Sequence, residues 1–153
     1  FNGLYRVNKK GVFNVPYGKR NGEFLNRDQL RDSSEFLQNA KIFHSDYLAT
    51  LKKYAKKGDF IFLDPPYYPV GKYSDFKRYT KEFFYHDDHV ILKEEFDRLV
   101  KTGCHVLLTN SDHLVVVDLY KDYEIKVIET KRLISSNPKT RNGKDIIVIG
   151  TNE

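Results

Sequence analysis

Residues 59–63 read Asp-Phe-Ile-Phe-Leu and run directly into Asp64-Pro65-Pro66-Tyr67. A short apolar run bounded by a turn is the pattern of a buried parallel strand. Consecutive prolines offer no N–H groups to a sheet ladder, so the strand must stop at Asp64 and the chain must turn there. The rest of the chain alternates comparable apolar runs with helical periodicity. Residues 28–39 are weakly helical, with Leu30, Phe36 and Leu37 available for burial, and residues 41–43 form a short strand candidate. Asp46 is placed to cap a helix that presents Leu48, Leu51 and Ala55 on one face and ends at Gly58. Residues 68–84 are polar and aromatic and read as a long loop, after which Asp88 caps a helix closed by Gly103. In that helix Leu92, Phe96, Leu99 and Val100 fall at i, i+4, i+7 and i+8, the spacing of one buried face. Strands at 104–109, 123–129 and 145–150 and a helix at 114–120 complete the pattern. Strands alternating with helices predict an α/β fold with a mostly parallel sheet, and the last two strands, joined by a basic loop, are expected to be antiparallel neighbours.

The 153 residues contain no methionine and begin at Phe1, which reads as a processed product, a trimmed chain or a fragment whose missing part lies upstream. The longest apolar runs, 60–63 and 146–149, fall far short of the roughly 20 residues needed to span a bilayer. No secretory signal is evident, and the single cysteine, Cys104, cannot form an internal disulfide, so a cytoplasmic location is expected. The formal charge of +5 is unevenly spread. Residues 1–31 carry seven basic side chains against two acids, and residues 131–144 carry five against none, leaving the remainder acidic. Both basic stretches also hold glycine and asparagine, which suggests loops that contact phosphates at two places; a solvated basic face is the plainer alternative.

In open parallel sheets ligands bind beyond the carboxyl ends of the strands. Two strand ends here carry chemistry, Asp64-Pro65-Pro66-Tyr67 after one and Thr109-Asn110-Ser111 after the other. The proline pair stiffens the turn and removes two donors. A carboxylate, backbone carbonyl oxygens and an aromatic ring are left to face a ligand. Such a site suits the exocyclic amine of a planar base, whose N–H bonds need acceptors and whose ring needs a flat neighbour. The alternative is a plain Asp-Pro-Pro turn with a packed tyrosine. His86 and His89 flank Asp87 and Asp88 but show no ligand spacing with Cys104, so they read as a solvated helix start and no metal site is expected.

Asp64-Pro65-Pro66-Tyr67 behind an apolar strand resembles the catalytic motif of amino-group DNA methyltransferases. Further features are similar to the Dam-type adenine-N6 enzymes: the segment FNGLYRVNKKGVFNVPYG at residues 1–18, Phe76 and Tyr79 with Phe84 beyond, Thr109-Asn110-Ser111, and Ser135-Ser136-Asn137 shortly before Lys139. The resemblance spans nearly the whole chain. It implies a partial Rossmann-like methyltransferase fold with an antiparallel C-terminal strand, in which residues 1–31 serve DNA recognition and 32–153 form the C-terminal part of the catalytic domain.

The resemblance further implies that a target adenine in duplex DNA, GATC being the best guess, is flipped out of the stack. Asp64 and the Pro65 carbonyl would accept its amino hydrogens while Pro66 stiffens the turn and Tyr67 stacks on the ring. The nitrogen would then take the methyl group of S-adenosylmethionine by in-line displacement. Asp46 and Tyr47, with Asp64, match positions that meet the cofactor, although Asp46 also reads as a plain helix cap. Asn8, Lys9, Lys10, Asn14, Lys139 and Arg141 match DNA-contacting positions, and Phe76, Tyr79 and Phe84 are candidates to line the base pocket. The family's glycine-rich cofactor turn has no counterpart, since none of the nine glycines stands in a G-x-G pair, and it is expected upstream of Phe1. The competing readings are a DNA-binding module without turnover and a methyltransferase acting on a protein amide or an RNA base; a restriction partner and the oligomeric state are left open.

Overall fold

The computed structural model describes residues 7–8, 10–15, 25–70, 84–131 and 142–152. Two compact units divide between Ser45 and Asp46.

In the first unit, Val7 and Phe13 form an isolated antiparallel bridge around a tight turn. The carboxamide oxygen of Asn8 accepts from the backbone N–H groups of Lys10 and Val12 at 2.9 and 3.1 Å. Gly11 takes a positive φ of 77°, which a side chain would resist, and thereby lets the chain reverse. Helix α1 (Arg27–Leu37) starts where Asn26 accepts from the Gln29 N–H at 3.0 Å. Against expectation, Leu30, Phe36 and Leu37 are exposed. An amphipathic helix buries its stripe only against a second element, and no such element stands in this unit among the described residues. The strand expected at 41–43 does not form; Ile42 is 80% exposed and no ladder pairs with it.

The second unit opens with α2 (Tyr47–Tyr54), capped as expected by Asp46, whose Oδ1 accepts from the Ala49 N–H at 3.2 Å. There follow β1 (Phe60–Leu63), α3 (His86–Thr102), β2 (His105–Ser111), α4 (Leu114–Leu119), β3 (Glu124–Lys131) and β4 (Asn142–Gly150). The described strands form one sheet in the order β1-β2-β4-β3. β1 and β2 are parallel, and β4 is antiparallel to both of its neighbours. Three strands therefore share one direction and the C-terminal strand runs against them, as expected for a partial methyltransferase fold of α/β class. β3 and β4 pair in antiparallel register from Glu124 opposite Ile149 to Lys131 opposite Asn142.

The core lies where α3 and α4 cover one face of this sheet. Phe96 and Leu99 of α3 are fully buried, Leu92 and Val100 nearly so, and they pack with Val106, Leu108, Val116, Ile146 and Val148. Gly150 completes the seam, because a Cβ there would lie 2.5 Å from Val100 and 2.6 Å from Phe96. Helix α3 ends at Gly103, whose left-handed φ of 91° supplies the stop read from the sequence. Its start differs from expectation. Tyr85 is the N-cap, and Asp88 sits three residues into the helix, where its carboxylate reaches back to accept from the Tyr85 N–H at 2.7 Å. β1 also differs: its side chains alternate between two faces, and only Ile61 and Leu63 pack on the core, while Phe60 and Phe62 on the other face remain 66% and 56% exposed.

His89 is not part of a solvated helix start. It is 2% exposed and lies between Phe84 and Tyr68, at centroid distances of 4.7 and 5.3 Å. Burial, helped by the nearby His86, pulls its pKa down to about 4 against the opposing charge of Asp88. The unfolded chain therefore binds the His89 proton more readily than the folded one. Its contribution to stability is complete above pH ~6.5 and is lost as pH falls through that value toward 4, a change of order 2–3 kcal/mol. Urea unfolding across this window is expected to show the fall in wild type and a flatter profile in His89→Gln; equal slopes would remove His89 as the cause.

Candidate active site

The site is built where β1 and β2 end side by side. Their parallel register pairs Phe60 with His105 and runs to Leu63 with Leu108. One step further the same register brings Asp64 beside Thr109, and the Thr109 Oγ1 donates to Asp64 Oδ1 at 2.6 Å. Asp64 is exposed, so its carboxylate faces outward at the carboxyl end of the strand pair. Pro65, Pro66 and Tyr67 are half-buried behind it. The Tyr67 hydroxyl shares the cluster with Thr109 and Asp64: burial and the charges of Asp64 and Asp145 push its pKa up, and the Thr109 hydrogen bond acts the other way.

β2 runs two residues further than the sequence suggested, because pairing with β4 continues through Asn110 opposite Ile146 and Ser111 opposite Asp145. Asn110 and Ser111 are consequently buried strand residues, at 0% and 2% exposure, rather than residues beyond the strand end. Their side chains grip the turn after the proline pair. Asn110 Oδ1 accepts from the Tyr68 N–H at 2.9 Å and from the Ser111 N–H at 2.9 Å, and Ser111 Oγ donates to the Tyr68 carbonyl at 2.6 Å. The main chain of Tyr68 is thus tied by both its donor and its acceptor. Its ring stacks at 33° on His113, 4.5 Å away, and meets His86 edge-on at 6.3 Å. His113 is fixed in turn, since its Nδ1 accepts from the Val115 N–H at the start of α4. Behind Tyr68 lies a cavity of about 290 Å³ walled by Pro69, Phe84, Tyr85, His86 and His89.

Of the residues expected to act together, the structure brings Asp64, Pro65, Pro66 and Tyr67 to one place. Asp46 and Tyr47 belong to the same unit, at the start of α2. Tyr47 is half-buried, and burial with the adjacent Asp46 charge pushes its pKa up to about 12, so it stays a neutral ring and donor. Asn8, Lys10 and Asn14 are exposed in the first unit, where the Asn8 oxygen is spent on shaping the turn that presents Lys10. Lys9, Lys139 and Arg141 lie outside the described residues, as do Phe76, Tyr79 and residues 135–137. Phe84 is described and stands in the cavity wall. The segment 109–111 stands out in the sequence without a task for Thr109 or Asn110, His89 reads there only as part of a solvated helix start, and His113 gives no signal; pairing the ends of the two strands points to the first two. Among the described residues no cluster of His, Cys, Asp or Glu is placed to hold a metal ion, and no helix is long and apolar enough to cross a membrane.

Residues 1–134 match the profile of the D12 class N6 adenine-specific DNA methyltransferases. The chain belongs to this family. It is 41% identical over 155 residues to a type II methyltransferase of Lactococcus lactis subsp. cremoris, covering 99% of this chain and 54% of that protein. Similarity extends to a type II methyltransferase of Methanocaldococcus jannaschii, 39% identical over 88% of this chain and 47% of the relative. A DNA adenine methylase of Vibrio cholerae is 34% identical over 95% of this chain and 52% of its own length. The chain therefore spans about half the length of these relatives.

The Asn110 grip on Tyr68 gives a stability test of this D12-class site. Asn110→Leu keeps the volume apolar but orphans the Tyr68 N–H in a part-buried setting. A loss of about 1–3 kcal/mol in urea unfolding is expected; an unchanged midpoint would mean that the grip contributes nothing.

Proposed function

We propose that the protein methylates the N6 amine of an adenine flipped out of duplex DNA, with S-adenosylmethionine as donor and GATC as the first target sequence to test. The observation that carries this reading is the exposed Asp64 carboxylate, held at a strand end by Thr109 and followed by two prolines and an aromatic ring. An amine placed there meets the carboxylate and the Pro65 carbonyl as acceptors, and each hydrogen bond donated by the amine leaves its lone pair more available on nitrogen. Tyr67 offers a ring for the base to stack on. The stiff turn, fixed by the prolines and by Asn110 and Ser111, holds these groups in place before the substrate arrives, so the alignment cost is met in folding.

Bound S-adenosylmethionine supplies an electrophilic methyl group on a positively charged sulfur. In fit, this chain's described residues match one end of such a molecule: the neutral Tyr47 ring and the Asp46 carboxylate suit its purine and hydroxyl groups. The outward-facing Asp64 carboxylate suits the neighbourhood of its positive charge. Contacts to the amino-acid end are not supplied by a glycine pair in this sequence. Lys10 and Asn14 in the first unit, with Lys9, Lys139 and Arg141, are the residues we assign to the DNA, basic groups to phosphates and asparagine to a base edge. Residues 1–31 are the proposed recognition segment and residues 32–153 the proposed C-terminal part of the catalytic domain, and the names of the DNA adenine methylase and type II relatives support duplex DNA as substrate.

The test is methyl incorporation by the full-length gene product into GATC-containing duplex DNA, a scrambled duplex and RNA, with Asp64→Ala alongside. Wild type is expected to label the first, and Asp64→Ala to lose roughly a hundredfold or more in rate with little change in DNA affinity. Equal incorporation by both proteins would remove Asp64 from the chemistry. DNA binding without incorporation would instead support a binding module.

A further inference from the structure

We propose that Thr109 is a positioning residue for Asp64, fixing the carboxylate that receives the substrate amine; this role rests on the methyltransferase reading above. An aspartate at a turn is ordinarily steadied by accepting from the backbone N–H two residues later. Here that residue is Pro66, and the one before it is Pro65, so neither has an N–H to give. The motif that makes the turn stiff therefore strips its own aspartate of the two nearest backbone donors and leaves the Tyr67 side chain as its hydrogen-bond partner within the motif. Asp64 is also exposed, so no packing holds its side chain and water competes for it.

A second donor, on a more firmly held backbone, comes from the neighbouring strand. Thr109 reaches Asp64 Oδ1 at 2.6 Å, the short distance of a hydrogen bond to a charged acceptor. Its own position is well determined. Leu108 and Asn110 on either side are both 0% exposed, and β4 pairs with it through Ile147. A β-branched side chain on such a strand has few χ1 choices, so the hydroxyl direction follows from the backbone. With Oδ1 engaged by Thr109, the orientation of the whole carboxylate is set and Oδ2 is turned to a defined place for the amine. The Tyr67 hydroxyl, in the same cluster, couples the carboxylate to the ring on which the base would stack. Thr109 touches no reacting atom in this scheme; it acts through Asp64.

Thr109→Val keeps shape and β-branching while removing the donor, and Thr109→Ser keeps the donor while removing the methyl. In the full-length protein with saturating DNA and S-adenosylmethionine, single-turnover methyl transfer by Thr109→Val is expected to fall roughly tenfold to a hundredfold, with DNA affinity within about twofold of wild type. Thr109→Ser is expected to stay within about threefold of wild type in rate, and both variants to keep the wild-type thermal midpoint. Transfer by Thr109→Val at the wild-type rate, or a Thr109→Ser protein as slow as Thr109→Val, would overturn the proposal. So would a Thr109→Val protein that loses stability or DNA affinity in step with its rate, which would assign Thr109 to packing. An inactive wild type would overturn the methyltransferase reading and this role with it, whereas an active wild type matched by Thr109→Val would overturn this role alone.

Discussion

The parallel pairing of β1 with β2 is the constraint on which the rest of the site depends. Each strand contributes little alone: β1 is four residues long and half exposed, and the two prolines after its carboxylate have no N–H to offer it. Registered against β2, the same four residues deliver Asp64 to Thr109 and Tyr68 to Asn110 and Ser111. A slip of one residue would turn every β1 side chain to the opposite face. It would also move the carboxylate off its donor. The register is defended by burial on one face, where Ile61 and Leu63 pack on the core while Phe60 and Phe62 do not.

The rigidity of β2 is inherited from below. Val106 and Leu108 are clamped between α3 and the partner strand β4, and Phe96 locks this layer edge-on against Tyr120 and Tyr123 at 5.2 and 4.8 Å. Tyr123 is itself tied, its hydroxyl donating to Asp97 at 2.6 Å, and Asp97 pairs with Lys93 one helical turn away. Glu95, buried on the same helix, is answered by a two-point contact with Arg98 at 2.7 and 2.8 Å. Polar groups taken into this core are therefore mostly satisfied, as a fixed scaffold requires, since an unpaired one would cost about 1–3 kcal/mol. Among the described residues the exceptions, with no partner, are the Asn110 Nδ2, the Tyr120 hydroxyl and the Thr130 Oγ1, of which the Asn110 amide adjoins the turn. Its oxygen is so well used that the amide cannot turn over to satisfy its nitrogen without releasing the Tyr68 N–H.

What could be read in the sequence was whatever depends on residues close together along the chain. The α3 face Leu92, Phe96, Leu99 and Val100 obeys helical spacing, Asp46 caps at the expected place, and Gly103 stops the helix that precedes β2. Asp-Pro-Pro-Tyr announced a stiff acceptor-rich turn because proline acts on its own backbone. Failures came where the outcome depends on distant partners. Among the described residues, 41–43 have strand-like composition but no ladder to join, and Leu30, Phe36 and Leu37 have the right spacing but no element of their unit to cover them. Asn110 and Ser111 fall beyond the strand end read from the sequence at residue 109, yet β4 extends the ladder over them, which no local pattern in 109–111 could disclose. The insertion of β4 between β2 and β3 was equally hidden, because antiparallel neighbours satisfy the same alternation whichever side they occupy.

The proline pair and the polar end of β2 are best understood as one device. Proline buys turn stiffness through a fixed φ, but it deletes the N–H groups by which a turn usually holds an aspartate and anchors its exit. Each deletion has a replacement on the adjacent strand. Thr109 supplies a donor in place of the two proline N–H groups, while Asn110 and Ser111 take the first main-chain N–H and carbonyl available after Tyr67, those of Tyr68. Because the side chains of a strand alternate, Thr109 and Asn110 point to opposite faces, and so they reach the two shoulders of the turn separately. The exposed shoulder keeps a carboxylate in reach of a ligand, and the buried shoulder ties the exit to the core. Neither segment would fix the site without the other, so a chain carrying Asp-Pro-Pro-Tyr after an apolar strand still needs a neighbouring strand end rich in hydroxyl and amide groups.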